Sequence, residues 1–342
     1  MHMPEPMTFE TLLPVIFMFL MGIAMLAYVI LDGYDLGVGT LMGLADDSEK
    51  DTMIASIGPF WDANETWLVL GVGLLLVAFP MAHGLILSKL YLPVTLMLFS
   101  LILRGVAFDF RVKVPAERKH LWNKLFVLGS VGAALCQGYM LGAYLTGFKF
   151  TVMGGVFEFL TALCLLAGYV LMGSGWLLMK AEGALQLKAV AWARRSLWGA
   201  GVGIAAISAV TPFISERIFQ KWFAVENFFL LLPIPLATLG LFFIADRTLR
   251  RLPSRLSQGN EYGVWVPFAC TVGIFFLSFY GLAYSLFPYL VLDQVDVWQA
   301  ASHPDSLKVI LWGALIVLPA ILGYTVYAYR VFWGKATGLS YE

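Results

Sequence analysis

Nine separate stretches of mostly apolar residues recur along the 342-residue chain. A helix needs about 20 such residues to cross a hydrocarbon layer of about 30 Å, and these stretches are close to that length or longer. We place them at 12–31, 61–82, 86–108, 126–147, 152–178, 198–214, 225–245, 264–286 and 309–332. The sequence therefore predicts an all-α integral membrane protein with about nine transmembrane helices.

Composition agrees with a lipid environment and excludes several classes of function. Hydrophobic residues make up 60% of the chain and charged residues 13%, and the mean hydropathy is +0.81, which is more apolar than a soluble domain. The formal net charge is zero and no long charged run occurs, so nucleic-acid binding is excluded. The three cysteines lie in apolar segments without a CxxC spacing, which indicates buried packing rather than a disulfide or zinc site.

The basic residues predict how the chain is oriented across the membrane. With nine spans, 17 of the 22 lysines and arginines fall on one set of loops, and five fall on the other set: Lys89, Lys149, Arg217, Lys221 and Lys308. Cytoplasmic loops attract basic residues, so we expect the N-terminus outside and the C-terminus in the cytoplasm. No basic region or cleavage-site pattern accompanies the first apolar stretch, which is expected to remain as an anchor.

A weak internal echo indicates a repeat within the single transmembrane domain. The segment AYVILDGYDL at the end of the first predicted helix resembles GYVLMGSGWL at the end of the fifth. This spacing predicts two parallel four-helix units, 9–147 and 150–290, followed by a last helix over 307–333. A chance likeness between two glycine-containing apolar helices is an equally good explanation.

Acidic residues cluster near the predicted cytoplasmic ends of the first three helices. The first helix ends in LDGYDLGVG, with Asp32 and Asp35, and the third ends in LRGVAFDFRVK, with Arg104 and Asp109. An acidic loop, ADDSEKD, leads to the second helix, which opens with PFWDANETWL. Its polar residues stand at positions i, i+3 and i+4 and share one helix face: Asp62, Glu65 and Thr66.

Ionisable groups inside a membrane cost about 2.5–3.5 kcal/mol each and call for a reason. Desolvation disfavours the charged form of a carboxylate, whereas a nearby arginine favours it. With these two effects opposed, the carboxylates could carry a transferable proton near neutral pH, as a proton entry path requires. Helix capping is the alternative, with Asp32 and Asp109 at the interface and Asp62 against a helix dipole. Glu158, inside the fifth helix, is a secondary candidate; a packing role, with a partner such as Gln137, is favoured there.

The sequence offers no cofactor ligands of the usual kind. Its four histidines stand in predicted termini, turns or loops, so no axial pair for a haem is expected at mid-membrane depth: His2, His83, His120 and His303. It has no Walker or dinucleotide-binding fingerprint either. Any redox centre is therefore expected mainly in a partner.

Taken in order, the motifs LDGYDLGVG, WDANETWL and LRGVAFDFRVK resemble those of subunit II of the cytochrome bd-type quinol oxidases. The segment KAEGALQLKA and the nine-helix layout extend the resemblance over the whole chain. It implies a bacterial cytoplasmic membrane complex that oxidises quinol and reduces dioxygen to water. Haem b and haem d would be carried by subunit I. A small single-helix accessory subunit would be a further partner. The resemblance allows, without requiring, a quinone bound to this chain.

Residue by residue, the resemblance places proton-path acids at Asp35, Asp62 and Asp109, with the neighbouring arginine at Arg104. Some relatives have Gln where Glu65 stands. The acidic form of the second motif, WDANETWLV, favours the cyanide-insensitive branch. Two other functions stay open on the residues alone: an ion-coupled secondary transporter with a midplane site, and an assembly subunit whose acids only cap helices.

Overall fold

Helices, most of them long, account for most of the computed structural model, which describes residues 8–149 and 151–336. In chain order they are α1 (Phe9–Leu41), α2 (Asp47–Ile57), α3 (Trp61–Ala78), α4 (Pro80–Lys113), α5 (Lys119–Leu145), α6 (Val152–Lys180), α7 (Gly183–Val210), α8 (Glu216–Phe223), α9 (Val225–Leu231), α10 (Pro233–Leu256), α11 (Val266–Leu286), α12 (Val297–Ala300) and α13 (Pro304–Val331). A short antiparallel hairpin joins α11 to α12, formed by β1 (Tyr289–Val291) and β2 (Val295–Asp296).

The number of candidate membrane spans agrees with the prediction. Within the described ranges, eight helical segments are long and apolar enough to cross a membrane, and the bent pair α2–α3 brings the total to nine. The axes of α2 and α3 differ by 53°. The seventh predicted span is interrupted at Leu232, where α10 begins with Pro233; proline lacks the N–H that a continuous helix would use there.

Two boundaries around the second predicted helix were wrong. The acidic segment placed in a loop forms the start of α2, and the Glu49 carboxylate accepts a hydrogen bond from the Asp46 amide (2.9 Å) as in a capping box. The turn predicted after residue 82 lies instead at Phe79, because Pro80 begins α4. Proline favours the first position of a helix, where its missing N–H has no intrahelical partner to lose.

Several helices extend beyond the predicted apolar stretches. The first runs ten residues past the predicted end, to Leu41, so Asp32 and Asp35 lie inside α1 rather than at its end. Likewise α4 continues to Lys113 and contains Asp109, and α7 begins at Gly183 rather than at residue 198. Hydropathy marks only the part of a helix that lies in lipid, and polar residues at either end continue the same backbone hydrogen bonding.

The two helices that carry the internal echo pack directly on each other. A Cβ at Gly37 of α1 would overlap the Tyr169 carbonyl oxygen, and one at Gly173 of α6 would overlap the backbone of Gly37 and Val38. Small residues allow helix backbones in membranes to approach this closely. The division into repeat units 9–147 and 150–290 stays a prediction.

Candidate functional site

A buried ion pair joins α1 to α4 near the end of the bundle where α1 and α4 finish and α3 begins, which we call the acidic end. The Arg104 Nη1 atom donates to Asp32 Oδ1 at 2.9 Å, and the two side chains are 1% and 0% exposed. Burying a charge is costly unless it is paired, so each residue requires the other. The Asp32 carboxylate is therefore not at an interface, and its capping alternative was wrong.

Asp35 lies one turn further along α1 and is also fully buried. The Asn64 Nδ2 atom of α3 donates to Asp35 Oδ2 and contacts the Tyr34 hydroxyl, both at 2.8 Å. The Tyr329 hydroxyl of α13 donates to Asn64 Oδ1 at 3.1 Å and lies 2.6 Å from the Tyr34 hydroxyl. Three helices thus share one polar network around Asp35.

Asn64 was not identified from the sequence, because the candidate residues chosen there lie on the opposite face of α3. As predicted, Asp62, Glu65 and Thr66 lie on one face, but Asp62 and Thr66 are exposed and Glu65 is only half-buried. The inward positions are Asn64 and Trp67. An asparagine three residues before a tryptophan was the available signal, since that spacing places both side chains on one side of a helix.

The more exposed carboxylates lie close to the buried ones, and among the described residues they form no hydrogen bond or ion pair with them. Asp62 is near Asp109, which is exposed on α4, and near Arg104. Glu65 is near both Arg104 and Asp32. The acids lie in two layers, with Asp62 and Asp109 on the surface of the chain and Asp32 and Asp35 buried behind them. The positive charge of Arg104 attracts carboxylates in both layers, Asp32 by direct pairing and Asp62 and Glu65 from further away.

The sequence matches known proteins over almost the entire chain. The sequence profile of the family described as "Cytochrome bd terminal oxidase subunit II" matches residues 13–332. The chain belongs to this family. It is 29% identical to "Cytochrome bd ubiquinol oxidase subunit 2" of Bacillus subtilis (strain 168), covering 92% of this chain and 94% of that protein. It is 28% identical to "Cytochrome bd-I ubiquinol oxidase subunit 2" of Escherichia coli (strain K12), covering 93% of each.

A solved structure shares the fold of this subunit II. It is described as "The structure of bd oxidase from Geobacillus thermodenitrificans", with a TM-score of 0.76, 15% identity, and coverage of 94% of this chain and 98% of that one. Membership makes the chain a component of a bd-type oxidase, a transmembrane complex of a respiratory chain with a partner subunit I.

The family implies haems in the complex, and the described part of subunit II does not fit one. His83 lies near the start of α4, His120 near the start of α5, and His303 precedes α13, where its ring accepts from the Asp305 amide. Within residues 8–149 and 151–336, no group of three or more His, Cys, Asp or Glu side chains could hold a metal ion. Haem iron needs an axial ligand such as histidine within its pocket, and these three histidines stand at the starts of helices.

Glu158 has a different neighbour from the one expected. It is buried in α6, and the Tyr139 hydroxyl lies beside it. The predicted partner, Gln137, instead contacts Tyr28 and Tyr169. Gln137 and Tyr139 are two residues apart on α5, about 200° around the helix, so they point in nearly opposite directions.

Proposed function

We propose that this chain is the haem-free subunit of a bd-type quinol oxidase, supporting the haem-bearing subunit I and supplying a cytoplasmic proton pathway for the reduction of dioxygen to water. The observation that carries the proposal is the two-layered group of acids around Arg104. Reduction of dioxygen to water consumes one proton for every electron, so a haem inside the membrane needs a proton supply. Carboxylates are common in such relays.

The exposed layer supports a path along the boundary with subunit I. Asp62 and Asp109 lie on helices of candidate membrane spans, and both are exposed on the surface of the described chain. A carboxylate facing lipid is costly, and intramembrane carboxylates usually face protein or water. We therefore place subunit I, or water held by it, against this face of α3 and α4. The collection of acids at one end also disfavours the midplane site of a secondary transporter.

Sidedness follows from the basic residues. With nine spans, 17 of the 22 lysines and arginines lie toward the same side as the acidic end, and the side rich in basic residues is typically cytoplasmic. In the proposed orientation protons enter from the cytoplasm at Asp62 and Asp109 and pass toward subunit I. The membrane is then the bacterial cytoplasmic membrane, the electron donor a quinol, and the haems b and d belong to subunit I.

Asp62→Asn in the complete complex tests the proposal. Asn keeps the size of the side chain and removes the exchangeable proton, so oxygen consumption with quinol, normalised to haem d, should fall by roughly tenfold or more. Asp35→Asn should act in the same direction. The control is Asp47→Asn, which changes a side chain that is 85% exposed in α2 and should leave turnover unchanged.

An assembly subunit with capping acids predicts a different result. Loss of a cap or of a helix-dipole contact costs about 0.5–2 kcal/mol and would lower the yield or thermal stability of the complex. Turnover per assembled complex would stay near that of the wild type. If both Asp62→Asn and Asp35→Asn behave in this way, the proton-pathway proposal is wrong and the assembly role is the better account.

A further inference from the structure

Three buried side chains form a hydrogen-bond chain in the middle of the bundle. The Tyr169 hydroxyl of α6 donates to Gln137 Oε1 at 2.6 Å, and Gln137 Nε2 of α5 donates to the Tyr28 hydroxyl of α1 at 2.6 Å. Tyr28 and Tyr169 are 2% and 0% exposed. Such a set of polar groups inside a membrane is expensive to bury, and neither the fold nor the proposed path has accounted for it.

The donors of this chain all point toward Asp32. Because Gln137 donates to the Tyr28 oxygen, the hydrogen of the Tyr28 hydroxyl is free, and the Asp32 carboxylate lies beside it one turn along α1. Asp32 Oδ2 is buried and has no hydrogen-bond partner among the described residues, so it is available to accept the Tyr28 hydrogen. A carboxylate accepts hydrogen bonds and does not donate them, so this polarity stabilises a charged Asp32 facing Arg104.

The amide of Gln137, in the middle of this hydrogen-bond chain, also limits the conduction of protons along it. A hydroxyl or a carboxyl accepts one proton and releases another, whereas the side-chain amide of Gln137 has separate donor and acceptor atoms and is a poor acid and a poor base. A proton at Tyr28 therefore has no ready route to Tyr169. Beyond it, the ring of Tyr169 stacks on Phe275, and the next buried acid is Glu158 beside Tyr139.

We propose that Tyr28, Gln137 and Tyr169 form a proton barrier: they fix the Asp32 carboxylate as the permanent counter-ion of Arg104 and end the proton path at mid-membrane, separating it from Glu158. Gln137 is a positioning residue that acts through Tyr28 and Asp32. The proposal rests on the proposed proton pathway, because a path fed from one side must be closed before it reaches the other. An oxidase that leaked protons here would dissipate the gradient across its own membrane.

The barrier is tested by passive proton flow through liposomes that hold the complete oxidase without quinol. An imposed pH gradient is followed with a trapped pH-sensitive dye. Gln137→Glu keeps the size of the side chain and replaces the amide with a group that exchanges protons, so the gradient should collapse at least roughly threefold faster than with the wild type. Gln137→Leu, which cannot carry a proton, and the neighbouring control Cys136→Ala should leave the rate unchanged.

Positioning through Asp32 is tested by a double-mutant cycle on quinol oxidase turnover. Tyr28→Phe removes one hydroxyl and keeps the ring, and turnover should fall by roughly threefold. In an Asp32→Asn background the same change should have little further effect, because the acceptor is no longer a carboxylate. The control is Tyr324→Phe on α13, whose side chain is 62% exposed.

Two results would overturn the barrier. One is a Gln137→Glu oxidase as tight to protons as the wild type; the other is a Tyr28→Phe effect of equal size in both backgrounds, which a purely structural role would produce. Should Gln137→Glu not assemble, the cycle on Tyr28 decides alone. Normal turnover in both Asp62→Asn and Asp35→Asn would instead contradict the proton pathway and would not alter the proton leak, so the two failures are distinguishable.

Discussion

Gly37 and Gly173 set the distance between α1 and α6, since neither position has room for a methyl group. We predict that Gly37→Ala lowers the thermal unfolding midpoint and the yield of the complex, because the new Cβ meets the Tyr169 carbonyl group and not a movable side chain. Overpacking of this kind costs about 1–3 kcal/mol or more. The measurement is thermal unfolding of the purified complex in detergent.

Gly240 on α10 provides the matched control. A Cβ there would have nothing within 4 Å in this chain, and alanine is favoured over glycine inside a helix by roughly 0.5–1 kcal/mol. Gly240→Ala should therefore leave the unfolding midpoint unchanged or raise it. A loss as large as that of Gly37→Ala would show that helix composition, and not the α1–α6 contact, controls stability.

Among the membrane-spanning segments, α13 is one of the two least embedded, and its ends hold it to the bundle. Its buried residues are Leu307 and Ala328; at one end Lys308 Nζ pairs with Glu10 at 2.8 Å, and at the other the Tyr329 hydroxyl joins the Asn64 network. Tyr329→Phe should lower the unfolding midpoint, because it leaves a buried amide oxygen without its donor, at a cost of about 1–3 kcal/mol.

Tyr327, two residues away and 65% exposed, is the control for that measurement. Its hydroxyl is not part of the Asn64 network, so Tyr327→Phe should leave the midpoint within the error of the wild type. Turnover of Tyr329→Phe should fall less than that of Asp35→Asn, since the carboxyl group is retained. Equal midpoints for the two tyrosine variants would mean that other contacts fasten α13.

The short helix α8 carries a lysine whose titration should be visible in stability. Lys221 Nζ donates to the Tyr284 and Phe287 carbonyl oxygens at 2.6 and 2.9 Å, and burial, with a smaller effect of Arg217, lowers its pKa from 10.5 to about 8. Between these values the unfolded chain binds more protons than the folded one, so the free energy of unfolding rises with pH.

The pH dependence is measured as the difference in unfolding midpoint between the wild type and Lys221→Met. From pH 8 upward, the unfolding midpoint of the wild type should increase relative to that of Lys221→Met, which has no ammonium group to lose. Below pH 8 the difference should be constant, because Lys221 is charged in both states. A difference that falls as the pH rises would contradict the lowered pKa.

For the whole molecule, orientation across the membrane is the property that the proton pathway requires. We predict that a reporter fused after Glu342 is cytoplasmic and that one fused before Thr8 is external, because basic loops are retained on the cytoplasmic side. A phosphatase reporter and a fluorescent protein, which are active on opposite sides, would check both ends. Both ends on one side would require an even number of spans and would move the acidic end out of reach of cytoplasmic protons.

The sequence by itself determined the environment of the chain, the number of its spans, their approximate places along the chain and the clustering of acids near one end. These are one-dimensional properties: the free energy of placing a segment in lipid depends on its own composition, and depth follows from counting along a helix. The motifs also led to the family. The same reasoning misplaced helix ends, because helical hydrogen bonding continues past the apolar part.

Only the tertiary structure decided which side of each helix faces which neighbour. Asp32 is buried against Arg104 while Asp62 is exposed, Asn64 rather than Glu65 binds Asp35, and Gln137 contacts Tyr28 and Tyr169 rather than Glu158. In an apolar solvent the hydropathy of a helix is nearly uniform around its axis, so no amphipathic pattern marks the inward face. Its rotation is set by close contacts, such as that of Gly37 with Gly173, which join residues far apart in the chain.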